Sequence, residues 1–200
     1  MFSILFFFLI TVFLIKKINE IIGFDVGAKV EEKSLDPKYF EKSVLNENGE
    51  ETSNNNPFGK AYPKFNADDF IERAKKAFEM IFKAYADGDK YILNRLLSQN
   101  MYRAFAKAID DRNMRGEVLQ GTIERFLKVE IVEAGISGDD FFVVVQFVSE
   151  QSNVLKSKNG DILEGNPDFI EIRTEIFSFF RKKTASDNQW MLCEIKNCAE

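Results

Sequence analysis

Apolar positions along this chain fall into three regimes. In residues 1–15 they are nearly continuous: Phe2, Ile4, Leu5, Phe6, Phe7, Phe8, Leu9, Ile10, Val12, Phe13, Leu14 and Ile15, closed by Lys16 and Lys17. A helix rising about 1.5 Å per residue carries this run about 22 Å, short of a bilayer core of about 30 Å. Snorkelling lysine stems, with Ile18, Ile21 and Ile22 continuing the apolar face, make up the difference. Nothing basic precedes the run and no small-residue cleavage pattern follows it. That pattern favours a retained anchor over a removed signal peptide. A transmembrane anchor with its basic flank is therefore expected at 1–22. Positive charge on its C-terminal side places the bulk of the chain in the cytoplasm.

The second regime, 23–65, is polar and lacks periodicity. It is rich in Glu, Lys, Asn and Ser, includes Asn54-Asn-Asn-Pro57, and reads as a flexible linker. Its scattered aromatics, Tyr39, Phe40, Phe58, Tyr62 and Phe65, are candidates for transient docking on a partner.

From Asn66 the pattern becomes regular, giving a domain at 66–200. Asn66 suits an N-cap, with Asp69 supporting the first turn. Phe70, Ile71, Ala74, Ala77, Phe78, Ile81, Phe82 and Tyr85 recur at helical spacing. Gly88 ends that helix and Asp89 caps a short one through Leu97. Met101 to Ile109 gives a third helix, stopping near Gly116. The period then changes to two. Leu127, Val129 and Ile131 mark one strand, Gly135 to Asp140 a turn, and Phe141 to Val148 a strand apolar on both faces. Ile170, Ile172, Ile176 and Phe180 mark a third strand, interleaved with Glu171, Arg173 and Glu175; Trp190 to Ile195 is a fourth. Helices first and strands after predict an α+β fold, with helices packed on an antiparallel four-stranded sheet.

Composition narrows the chemistry. The chain has 200 residues and a net charge of -5, which speaks against DNA or bulk RNA as a partner. It contains no histidine. That removes imidazole acid–base catalysis, Ser-His and Cys-His pairs, and the commonest zinc ligand. Cys193 and Cys198 have no second pair with which to form a zinc cluster, and read as reduced thiols or a local disulfide. The acidic pairs Asp87/Asp89, Asp110/Asp111 and Asp139/Asp140 fall at helix ends or turns, where Asp caps. Gly160-Asp-Ile-Leu-Glu-Gly165 is turn-like and lacks the lysine of a phosphate loop. No catalytic residue, metal or cofactor is expected, and no small-molecule substrate.

One resemblance covers the last two-thirds of the chain. Its carriers, in order, are Ile81-Phe-Lys-Ala-Tyr-Ala-Asp-Gly-Asp-Lys90 followed by Leu93 to Leu97, Phe105-Ala-Lys-Ala-Ile109 with Arg112, Val148-Ser-Glu-Gln151, Gly165-Asn-Pro-Asp168 and Gln189-Trp-Met-Leu192. Their order and spacing resemble the Tim44-like domain, named for a scaffold subunit of mitochondrial inner-membrane import. The anchor, basic flank and linker are similar to the family's bacterial, membrane-anchored members. The chain departs at Phe177-Ser-Phe179, where members often carry Trp, and at Asn188, where they often carry Pro. It also lacks the scaffold's N-terminal half, which carries most chaperone and channel contacts.

The resemblance implies a cone akin to the nuclear-transport-factor-two superfamily, with helices on a curved sheet around an apolar pocket. It also implies anionic phospholipid and translocation or chaperone machinery as partners, at a bacterial inner membrane. Candidate surface cations are Arg73, Lys76 and Lys83, beside Lys16 and Lys17; Arg103, Lys107, Arg112 and Arg115 flank the third helix similarly. Candidate pocket residues are Phe78, Phe82, Tyr85, Phe105, Phe141, Phe147 and Phe179, whose spacing equally suits a filled core. The expected role is a non-enzymatic, membrane-anchored scaffold in protein translocation or membrane-protein assembly. A ribosome tether and a lipid- or small-ligand-binding pocket protein are the alternatives.

Overall fold

A computed structural model describes residues 57–185 and 189–197. The predicted anchor at 1–22 and the linker through residue 56 lie outside them. Among the described residues no helix is long and apolar enough to cross a membrane.

The order is α1 (Pro57–Ala61), α2 (Ala67–Asp87), α3 (Lys90–Leu96), α4 (Gln99–Met114), β1 (Val118–Ser137), β2 (Asp140–Lys156), β3 (Ile162–Gly165), β4 (Glu171–Lys182) and β5 (Met191–Asn197). Helices precede an antiparallel sheet, so the α+β class is as the sequence predicts. The helix limits follow from local chemistry. Asn66 Oδ1 accepts from the Asp69 N–H at 2.8 Å, and Asp89 Oδ1 from the Ile92 N–H at 3.0 Å. Each satisfies a donor that the first turn leaves unpaired. Gly88 takes φ +75 and closes α2, a conformation a Cβ would disfavour. Arg112, predicted as a border cation, is instead buried. Its Nη2 donates to Tyr85 O and Ala86 O, each at 2.9 Å, and so ties α4 to the C-terminal carbonyls of α2.

The sheet differs from expectation in three ways. It runs β1-β2-β4-β5, and the short β3 adds to β2, making five strands rather than four. β1 and β2 form a far longer hairpin than predicted, paired from Ser137↔Asp140 to Val118↔Lys156, so the predicted turn shrinks to its tip. Register breaks at Ile123/Arg125, Phe126/Lys128 and Ile131/Glu133 bend β1 and scramble its alternation. This is why its first half does not read as a strand.

The third difference is the face of β4. The alternation marks Ile170, Ile172, Ile176 and Phe180 as the strand's apolar positions, yet Ile172 is 64% exposed while Phe177 is 4%. The odd-numbered residues face the helices. Register explains the inversion: Phe177 lies opposite Val145 and Phe179 opposite Val143, both fully buried on β2. Opposed residues in a sheet share a face. Glu171, Arg173 and Glu175 therefore lie on the side of the sheet that faces the helices.

The folded unit also begins earlier than Asn66. Phe58 of α1 is 3% exposed and belongs to the main core with Phe70, Phe141 and Phe179, while Tyr62 and Phe65 pack against it. Residues 57–65 are thus a strap laid on the domain. Their aromatics bury intramolecularly, which the polar composition of the preceding segment conceals.

Candidate functional site

Three surfaces have the chemistry to bind something. The first is the region where a pocket was expected. Phe78 sits with its ring centroid 4.9 Å from Phe147, 4.7 Å from Phe177 and 5.4 Å from Phe126. These rings fill the centre by stacked and edge contacts. Phe141 is engaged by Phe58 at 5.7 Å and Tyr62 at 5.1 Å, and Phe179 by Phe70 at 5.8 Å. Tyr85 pairs with Phe105 at 5.1 Å toward the other end of α2. Phe82 lies over Gly121, so close that a Cβ there would meet its ring at 2.8 Å. All seven predicted pocket residues belong to, or pack against, one hydrophobic core, and of them Phe179 also lines a cleft.

A cleft of about 140 Å³ opens instead at the N-terminal end of α2, lined by Tyr62, Lys64, Phe65, Asn66, Asp69, Phe70, Arg73, Ala74, Ala77, Phe179 and Trp190. Of the predicted site residues only Phe179 and Arg73 reach it. The strap supplies Tyr62, which stacks on Trp190 with centroids 6.3 Å apart, and Phe65, which meets it edge-on at 6.5 Å. The signal for them was the aromatic spacing of the segment just before Asn66.

The predicted surface cations are exposed on α2, but mostly neutralised there. Arg73 pairs with Asp69 at 2.9 Å and Lys83 with Asp87 at 2.8 Å, and Lys76 is exposed. Across α2, Asp68, Asp69, Glu72, Glu79 and Asp87 outnumber Arg73, Lys75, Lys76 and Lys83. Lys107 and Arg115 are similarly paired, with Asp111 and Glu117. The helical face therefore has little net pull on an anionic surface.

The second surface is the outer arm formed by β3 and the approach to β4. Ile162, Leu163, Phe169, Ile170 and Ile172 are all exposed there. Exposed large apolar side chains close together in sequence mark this segment as a candidate partner contact.

The third is the polar end of the sheet's helix-facing side. Inward β2 positions change from Phe147 to Ser149 and Gln151, both buried. Gln151 Nε2 donates to Ser149 Oγ at 2.9 Å and to Glu175 Oε2 at 2.8 Å. Glu175 keeps some surface as a residue, but its carboxyl sits deep enough that burial pushes its pKa above the ordinary carboxylate value. The Gln151 hydrogen bond and the Arg173 charge oppose that shift. The sequence places no carboxylate on an inward strand face; the inverted face of β4 does. Among the described residues its hydrogen-bond partner is Gln151.

The remaining acidic pairs do structural work. Asp89 caps α3, and Asp110, Asp111 and Asp140 form ion pairs with Lys90, Lys107 and Lys182. Cys193 is a free thiol, its Sγ donating to Ser178 O at 3.1 Å; Cys198 lies outside the described residues. Among the described residues no group of three or more acidic or thiol side chains is placed to hold a metal.

Comparison with known proteins agrees with the resemblance read from the sequence. The chain is 20% identical over 108 residues to mitochondrial import inner membrane translocase subunit TIM44-1 of Arabidopsis thaliana. That match spans 54% of this chain but only 23% of the relative. Among solved structures, the intermembrane space region of the chloroplast protein ARC6 is 18% identical, with TM-score 0.48, over 69% of this chain and 100% of that one. A de novo designed β-sheet protein matches at TM-score 0.34 and 15% identity, over 66% of this chain and 88% of that one. The Tim44-like domain matches residues 56–197, from the strap to the last strand, and the chain belongs to that family.

Proposed function

We propose that this protein is a membrane-anchored adaptor that brings protein partners to a bilayer surface during protein translocation or membrane-protein assembly. The observation that carries this reading is the Tim44-like match, which covers the whole described domain including the strap. The exposed arm of Ile162, Leu163, Phe169, Ile170 and Ile172 supports it, because a protein contact would cover that patch. Lipid contact is assigned to residues 2–17, since the cations of α2 are largely ion-paired. The anchor lies in a bacterial inner membrane with the domain on the cytoplasmic side. In this reading the domain works by proximity, not by bond-making, and the close packing of the Phe78, Phe147 and Phe177 rings supports it.

Two measurements test this. Alkaline extraction should leave the full chain in the membrane pellet, and a chain lacking residues 2–15 should move to the supernatant. Crosslinking in intact membranes followed by mild-detergent purification should retrieve named translocation or membrane-assembly components. Recovery of an uncrosslinked monomer under every condition defeats the adaptor reading. A soluble full-length chain defeats the anchor.

A further inference from the structure

The helix-facing side of the sheet divides sharply along its strands. On β2 the inward series Phe141, Val143, Val145, Phe147 gives way to Ser149 and Gln151. On β4 the matching series Phe179, Phe177 gives way to Glu175, Arg173 and Glu171, which lie opposite Phe147, Ser149 and Gln151. An aromatic floor thus ends in a polar rim.

Within that rim Glu175 is held but not used up. Gln151 is 2% exposed and Ser149 is 0% exposed, so the amide that donates to Glu175 Oε2 at 2.8 Å is locked by its neighbours. The ion pair formed by Arg173 is with Glu171, at 3.3 Å. Glu175 Oε1 accepts no hydrogen bond from the described residues. Glu175 as a residue is not fully buried, so part of its side chain keeps contact with solvent. A carboxylate with one oxygen clamped and the other open, in a partly desolvated setting, gains most from a charged donor.

We propose that this rim is a binding subsite for a single alkylammonium or guanidinium group, with Glu175 as its counter-ion and Gln151 as the residue that orients it. A neutral ligand adds no charge compensation to what Arg173 and Gln151 already give, and an anion is repelled by Glu175. A divalent metal lacks ligands, since no group of three or more candidate ligand side chains exists among the described residues. The subsite stands independently of any role in translocation.

The test uses the full chain in detergent micelles at fixed ionic strength, with the Gln151 side-chain amide followed by NMR. Butylguanidinium should shift that signal with an affinity at least tenfold above neutral butylurea. Glu175→Gln, which keeps the shape and removes the charge, should erase the difference. Equal affinity of the two probes for the wild-type chain overturns the proposal, as does unchanged discrimination in a folded Glu175→Gln chain. A peptide carrying one arginine among alanines then separates the sources: tighter binding than free butylguanidinium assigns the site to a protein side chain. Equal binding assigns it to a free cation. Either result supports the subsite.

Discussion

Replacing Phe58 by alanine measures whether the strap belongs to the folding unit. Phe58 is 3% exposed, with its ring 5.0 Å from Phe65, 5.7 Å from Phe141 and 6.1 Å from Tyr62, all in edge-on geometry. A phenylalanine this enclosed costs about 3–5 kcal/mol when cut to alanine, from lost transfer energy and the void left behind. The strap is a terminal element of the domain and can open locally, so the lower end, about 3 kcal/mol, is expected. For a domain of this size that lowers Tm by about 6–12 °C and moves the urea midpoint by about 1 M or more. Thermal and urea unfolding of the full chain in mild detergent, followed by Trp190 fluorescence, reads both, because Trp190 touches Tyr62 and Phe65. Tyr91→Ala, at a residue 69% exposed, is the control and should stay within about 0.5 kcal/mol. A Phe58→Ala loss no larger than the control refutes the assignment of 57–65 to the domain.

Three further outcomes are expected. The folded-state pKa of Glu175 lies above the ordinary value of 4.5, so the folded chain binds more protons than the unfolded one between the two. Stability should fall as pH rises through that window and stay lower above it; Glu175→Gln should flatten the profile and melt higher at pH 7, and a steeper profile in the variant contradicts the burial argument. Gly121→Val should cost about 1–3 kcal/mol by urea unfolding, because a Cβ meets Asn153 Oδ1 at 2.5 Å and the Phe82 ring at 2.8 Å; a neutral effect means the Phe82 ring yields freely. Burial, with Glu194 adding to it, pushes the Cys193 thiol up to about 11 although the residue is exposed, so peptide-mapped iodoacetamide labelling at pH 8 should run at least about tenfold slower than for an ordinary thiol, and an ordinary rate contradicts the shielding.

What could be read in the sequence of the candidate sites was limited by range. Phe78, Phe141, Phe147 and Phe179 are legible as interior because each recurs at its element's own period. Whether they enclose space or fill it depends on how a ring on α2 meets rings on β2 and β4, and the rings meet. Trp190 was legible only as part of the last strand. That it closes a cleft with Tyr62, Phe65 and Phe70 depends on contacts that join distant parts of the chain.

The sequence by itself determined the elements whose causes are local. Asn66, Gly88 and Asp89 set helix ends within a turn or two, because a cap acts on neighbours three or four residues away. The family was legible for the same reason, since short stretches in order are a one-dimensional signal. Tertiary structure alone decided the face of β4. That strand carries apolar residues on both sides, Ile170, Ile172 and Ile176 on one and Phe177 and Phe179 on the other, so its own alternation cannot choose between them. Pairing with β2 breaks the tie, turns the isoleucines outward, and brings Glu175 to Gln151 on the helix-facing side. A one-residue change of register exchanges an entire surface, and only the neighbouring strand can set it.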